Sequence, residues 1–177
     1  MKITIKRGSV VYADCDCIVN AANQSLIQGG GVCGAIFYKA RGRLTEECNA
    51  IGHCPTGHAV MTNGYELTAR HIIHAVGPIY RSDDDSVALA SAYRNSLVLA
   101  DVNNLKSIAF CSISTGIYGY PLDKAAEIAL KAIIDFKPQS LKECYMYCFQ
   151  DEEYEVYSNT LKKLEGEEKW IHKLEFM

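Results

Sequence analysis

Asp16-Cys17-Ile18-Val19-Asn20-Ala21-Ala22-Asn23-Gln24-Ser25-Leu26-Ile27-Gln28-Gly29-Gly30-Gly31-Val32-Cys33-Gly34 runs from an apolar segment through a polar loop into three consecutive glycines. Asp16 to Asn20, apolar in its middle, reads as a strand, and Val32 to Ala40 as a helix that Gly42 ends. Glycine takes positive φ and lets a ligand come close to the backbone. The helix that follows offers free N–H groups carrying a partial positive charge. A phosphate suits that position.

A second segment repeats the arrangement. Ser114-Thr115-Gly116-Ile117-Tyr118-Gly119-Tyr120-Pro121 follows the buried-strand pattern Ser107 to Ile113 and precedes a helix from Leu122 to Phe136, so it predicts a second anion nest. Two nests suggest a diphosphate. In an open α/β sheet, ligands collect outside the carboxyl ends of the strands, and Asn20 and Asn23 fall on that same edge. A side-chain amide gives both a donor and an acceptor, which matches a ribose diol without adding charge beside a diphosphate. Tyr118 can lay its ring against the sugar.

Outward from these loops, strands and helices alternate. Lys2 to Arg7, His58 to Thr62, His71 to Val76 and Glu143 to Phe149 read as strands, and Arg43 to Ile51 as a helix. On the last strand Cys144, Met146 and Cys148 share one face and Tyr145, Tyr147 and Phe149 the other, which predicts a strand covered on both sides. Asp84 and Asp85 are read as caps of a long helix bearing Leu89, Tyr93, Leu97 and Ala100. Ala125, Ala129, Ala132 and Phe136 mark the packed face of the next helix. Tyr154, Tyr157, Leu161 and Leu164 mark that of a final one near Asp151 to Leu164. The alternation predicts an α/β fold with three α/β/α layers. Residues 1–164 form one domain in this reading, and Glu165 to Met177, with the single tryptophan Trp170, is a tail of unassigned structure.

A chain of 177 residues buries roughly 70% of its unfolded surface as one domain. The alternating start, Met1 to Arg7, lacks the apolar stretch of a signal peptide, and no run approaches the roughly 20 apolar residues of a membrane span. Eight cysteines without such a signal read as reduced thiols in a cytoplasmic protein. The net charge of −3 gives no positive field to gather nucleic acid, so phosphate attraction must come from local backbone groups. Neither nucleic acid nor membrane is an expected partner, and a monomer is expected.

Other chemistries fit less well. Gly29 to Gly34 matches G-x-G-x-x-G, but eight residues separate it from Asn20, and no acidic residue stands at a strand end about 20 positions on. No G-x-x-x-x-G-K-[ST] occurs. Cys15 and Cys17 are two thiols without a histidine pair, His53 and His58 flank Cys54 in a turn region, and His71 and His74 fall on opposite strand faces. No metal is expected.

Five segments together resemble the macrodomains, within them the MacroD-type group that includes bacterial O-acetyl-ADP-ribose deacetylases. They are Ile18-Val19-Asn20-Ala21-Ala22-Asn23, Gly29-Gly30-Gly31-Val32, Cys54-Pro55-Thr56-Gly57-His58-Ala59, His74-Ala75-Val76-Gly77-Pro78 and Ile113 to Pro121. The resemblance implies a mixed sheet between helices and ADP-ribose as ligand, with no cofactor. Asn23 and Tyr118 would face the distal ribose. Ser9, Val10, Asn20, Ala22, Gly30, Gly31, Val32, Gly34, Ser114, Thr115, Gly116, Ile117 and Gly119 would line the rest of the ligand. The implied activity is hydrolysis of ester-linked mono-ADP-ribose on acidic side chains, or of O-acetyl-ADP-ribose, by water and the substrate's own phosphate. Partners would be ADP-ribose, mono-ADP-ribosylated protein or O-acetyl-ADP-ribose.

The sequence departs from that pattern at three places. Cys33 stands where the family has a catalytic aspartate, Phe37 where a histidine often follows, and Ser9 where an aspartate holds the adenine amino group. Adenine recognition is therefore expected to weaken or to draw on Asp14 or Asp16. A helix N-terminus lowers a thiol pKa and a bound diphosphate raises it again. Cys33 is thus expected as a neutral thiol and a poor base, which makes a non-catalytic ADP-ribose reader the alternative to an enzyme. Ser9 leaves a third reading, an interaction domain that has lost its ligand.

Overall fold

The computed structural model describes residues 1–175, and their side chains as far as Ile171. Six strands form one sheet: β1 (Lys2–Arg7), β2 (Cys17–Ala21), β3 (Ala59–Asn63), β4 (His71–Ala75), β5 (Ser107–Phe110) and β6 (Glu143–Cys148). Their order across the sheet is β1-β6-β5-β2-β4-β3. Every pairing is parallel except β3 with β4, so the sheet is mixed as expected.

Alternation along the inner strands sorts side chains into two cores. Cys17, Val19, Ile73, Ile108, Phe110, Cys144 and Met146 pack on one face against three helices, α3 (Ser86–Val102), α4 (Leu122–Asp135) and α5 (Asp151–Glu175). Ile18, Ile72 and Ala109 pack on the other against α1 (Gly31–Ala40) and α2 (Leu44–Ile51). These are the three α/β/α layers. Leu89, Tyr93, Leu97 and Ala100 of α3 are fully buried, as the spacing requires.

The structure corrects or refines four local expectations. Of the two expected caps Asp85 acts, jointly with Ser82: the Ser82 hydroxyl accepts the Asp84 N–H while the carboxylate of Asp85, the residue that precedes α3, takes the Ser82 N–H, a capping box around a single 3-10 turn. The predicted strand Ser107 to Ile113 ends at Phe110, because Cys111 onward turns away to build the second loop. Phe149 lies past the end of β6 with 76% of its surface exposed, while Tyr145 and Tyr147 are half-buried against the second core, so both faces of that strand are covered but one of them only in part. Finally, α5 continues through the supposed tail to Glu175. That extension has no apolar period to reveal it, because Glu165 to Ile171 are all exposed. Its Glu- and Lys-rich composition is helical by propensity alone. Phe176 and Met177 lie outside the described residues.

Candidate functional site

β2 and β5 are neighbours near the middle of the sheet, and each sends a loop from its carboxyl end. Strand order runs outward in opposite directions from this pair, which is where an open α/β sheet forms its crevice.

The first loop is closed by Asn23. Its Nδ2 donates to the Ile27 carbonyl at 2.8 Å and its Oδ1 accepts the Ile27 N–H at 3.2 Å. The Cys33 thiol also donates to the Ile27 carbonyl, at 3.7 Å, and accepts from Asn20 Nδ2 at 3.7 Å. Asn23 and Cys33 are therefore brought together on Ile27, and Asn20 joins them through the Cys33 sulfur. Leu26, with φ of 56°, plugs the loop into the core. Gly34 is required by close approach, since a Cβ there would stand 2.6 Å from the Gly29 carbonyl oxygen. Gly30 caps α1 and Gly31 opens it at φ 56°. The N–H groups of Gly31, Val32 and Cys33 then have no intrahelical acceptor and lie at the positive end of the helix.

The second loop is a turn in its own right rather than the lead-in to α4, whose cap is Pro121. Ser114 and Gly119 take φ of 67° and 71°. Gly119 N–H closes on Gly116 and Tyr120 N–H on Ser114. Among the described residues the N–H groups of Thr115, Gly116, Ile117 and Tyr118 have no acceptor, so the donors come from the loop alone. Two buried tyrosines hold it from beneath. Tyr93 OH accepts the Ile113 N–H at 2.9 Å and donates to the Cys111 carbonyl, and Tyr157 OH bonds Ser112 Oγ at 2.8 Å, which in turn accepts from Thr115. The Ser114 hydroxyl is buried without a partner. It packs on Gly77, where a Cβ would come within 2.2 Å of it.

Asn23 and Tyr118 face one cleft of about 530 Å³, with Gln24, Thr56, Gly77, Arg81 and Asp85 also on its wall. A second cavity of about 520 Å³ lies beside Ser9 and is rimmed by Tyr12, Tyr38, Lys39, Arg41 and Phe149. Val10 is core. Ile117 is 97% exposed at the tip of its loop. Three site candidates have their N–H groups spent: Ala22 donates to Ala75, Gly34 to Gly30 and Gly119 to Gly116. Asp16 is no adenine ligand, because it precedes β2 at the opposite end of the strand. There its carboxylate binds Arg70 and the N–H groups of Lys106 and Ser107.

His74 was missed as a site residue. It is fully buried on β4, with Nδ1 3.1 Å from Asn20 Nδ2 and Nε2 2.9 Å from Thr62 Oγ1. Burial lowers its pKa from 6.5 to about 4, against the pull of Glu47, so it is neutral at physiological pH. Gln24, Arg81 and Phe149 were missed too. Phe149 carried a usable signal, since it directly follows a strand and so lies on the ligand-collecting edge.

The chain is similar to known proteins in sequence and in fold. A macro domain-containing protein of Caldanaerobacter subterraneus is 48% identical, covering 93% of this chain and 98% of that protein. An O-acetyl-ADP-ribose deacetylase of Cronobacter turicensis is 44% identical over 90% of this chain and 96% of its own length. A variant of the Oceanobacillus iheyensis macrodomain solved with ADPR (ADP-ribose) superposes with a TM-score of 0.87 at 40% identity, covering 90% of this chain and 91% of that one. The Macro domain family model matches residues 19–129, a span that begins inside β2 and takes in both glycine loops, and the chain belongs to that family.

Proposed function

We propose that the protein binds ADP-ribose and hydrolyses its esters, either with acidic side chains or as O-acetyl-ADP-ribose. The observation that carries this reading is the pair of unpaired N–H sets, at Gly31 to Cys33 and at Thr115 to Tyr118, on loops from adjacent strands. Two backbone nests side by side suit the two phosphates of a diphosphate. The distal ribose then lies in the cleft between Asn23 and Tyr118, and the adenine beside Ser9 with Phe149 offering a ring face. The similarity to the named deacetylase and to the ADP-ribose complex supports the same assignment.

For a glutamate ester at the anomeric carbon, water attacks that carbon as the C–O bond to the carboxylate breaks. The water's proton passes to a phosphate oxygen of the substrate, and the carboxylate leaves as an anion that needs no acid. Asn23 orients the ribose, and Tyr118 shields the reacting carbon from bulk solvent. The chemistry draws on the substrate's own phosphate rather than on a metal ion. Cys33 does not serve as base: its proton is committed to the Ile27 carbonyl. That same commitment favours a second reading, a module that binds ADP-ribose without cleaving it.

Single-turnover release of ADP-ribose from a glutamate-modified protein separates the two, comparing wild type, Cys33→Asp and Asn23→Ala. Release by wild type, abolished in Asn23→Ala, is the expected result. Binding without release by wild type, together with a gain in Cys33→Asp, establishes the reader instead.

A further inference from the structure

A row of polar side chains runs from central strand β2 across β4 to edge strand β3 on the α1 and α2 face of the sheet. Asn20 on β2, His74 on β4 and Thr62 on β3 are all buried, beside Ile18 and Ile72 on the same face. Apolar residues would fill these places without desolvation cost, so the row requires a use.

Its hydrogen bonds have one direction. The Thr62 hydroxyl donates to the Asn63 carbonyl at 3.2 Å, leaving its oxygen to accept from His74 Nε2–H at 2.9 Å. A neutral imidazole has one N–H, and the bond made by one nitrogen decides the state of the other. Nδ1 is therefore an acceptor, which obliges Asn20 to turn its NH₂ toward it at 3.1 Å. The second N–H of that amide points at Cys33 Sγ. The thiol, offered a donor, sends its own proton to the Ile27 carbonyl, the group that also holds Asn23. Asn20 Oδ1 is left without a partner. In this orientation the amide is satisfied only through its nitrogen, and it is the His74 tautomer that selects it. The Phe37 ring, 6.4 Å from the imidazole, and the Cys48 sulfur, 3.9 Å from Nε2, close the surroundings.

We propose that His74 is a positioning residue: through the Asn20 amide it sets the direction of the Cys33 thiol and the seating of Asn23 in the ligand cleft. The proposal rests on the ADP-ribose reading for its effect on binding, but its structural content stands without ligand. The opposite tautomer would present Nδ1–H to Asn20, turn the amide over and draw the thiol proton away from Ile27, loosening the clasp on Asn23.

Two measurements test it. In ligand-free protein, ¹⁵N spectra are expected to show His74 protonated at Nε2 and bare at Nδ1. The reverse tautomer overturns the proposal whatever the protein binds. Titration calorimetry with ADP-ribose then compares variants that melt cooperatively. His74→Asn keeps an acceptor in the Nδ1 position and should bind within a few-fold of wild type. His74→Leu should bind about tenfold more weakly, the loss of one well-placed hydrogen bond. Equal affinity in His74→Leu and wild type overturns the proposal. If His74→Leu does not fold, Thr62→Val takes its place: removal of the Nε2 acceptor should shift the tautomer toward Nδ1–H and weaken binding together, and no change in either refutes it. A wild type that binds no ADP-ribose refutes the functional reading, while the ¹⁵N result still decides the role of His74.

Discussion

Lowering the pH should destabilise this protein through His74 in a measurable, residue-specific way. Burial holds the imidazole neutral in the folded state, with its pKa lowered from 6.5 to about 4, while the unfolded chain takes up a proton near 6.5. Below 6.5 the unfolded state therefore binds more protons than the folded one, and stability falls as pH falls, until the folded imidazole also protonates near 4. The whole drop is worth about 3 kcal/mol, of which about 2 kcal/mol is spent by about pH 5. The assay is urea denaturation of wild type and His74→Gln at about pH 7.5 and about pH 5. Carboxylates contribute to both proteins alike, so wild type should lose about 2 kcal/mol more than the variant across that interval. Equal losses would mean that the buried imidazole is free to protonate in place, and would refute the account of its surroundings.

Gly30→Ala should separate stability from binding. Gly30 has φ of −86° and a Cβ there would touch nothing within 4 Å, so the entropy gain and the poorer helix cap offset each other and stability should change by less than about 1 kcal/mol, while ADP-ribose affinity falls; unchanged affinity would place the phosphate elsewhere. Gly77→Ala should do the reverse of a silent change, because the new methyl meets Ser114 Oγ at 2.2 Å and Ile113 Cγ2 at 2.5 Å. A loss of about 1–3 kcal/mol by denaturation is expected from such overpacking, with weaker ligand binding as the second loop shifts. Asp101→Ala removes a carboxylate that accepts the N–H groups of Gln139, Ser140 and Leu141 and should cost about 1–3 kcal/mol. Partial burial raises the Asp101 pKa, but these three N–H groups bring it below the usual carboxylate value. The difference between variant and wild type should therefore shrink in acid, as pH falls through that lowered pKa.

The layers of the fold are legible in the sequence because their signals are periodic. Leu89, Tyr93, Leu97 and Ala100 on a helix, and Cys144, Met146 and Cys148 on a strand, report burial by spacing alone. The two glycine loops are legible for a different reason: each follows an apolar strand, which puts both on the carboxyl edge, while the adjacency of those strands appears only in the sheet order. What escaped was chemistry without a period. His74 read as one of two histidines on opposite faces, since nothing in a linear pattern shows that Asn20 and Thr62 lie on either side of it. Asp16 opens its strand in the sequence as in the structure, at the end away from the ligand loops; what spacing hid is that Arg70 and the N–H groups of Lys106 and Ser107 occupy its carboxylate. The continuation of α5 was hidden because a helix exposed on all sides leaves no apolar trace.

The pairing of β1 with β6 matches Lys2 to Glu143 and Arg7 to Cys148, and among the described residues β6 is the one strand beside β1. During synthesis β1 must therefore wait for β6, while β2 and β4, which carry Asn20 and His74, can pair as soon as His71 to Ala75 has emerged. Closing so long a loop is an entropic cost met late. The ligand loops thus stand on the part of the sheet assembled early, and the N-terminal edge is the part most exposed to mispairing while the chain is incomplete.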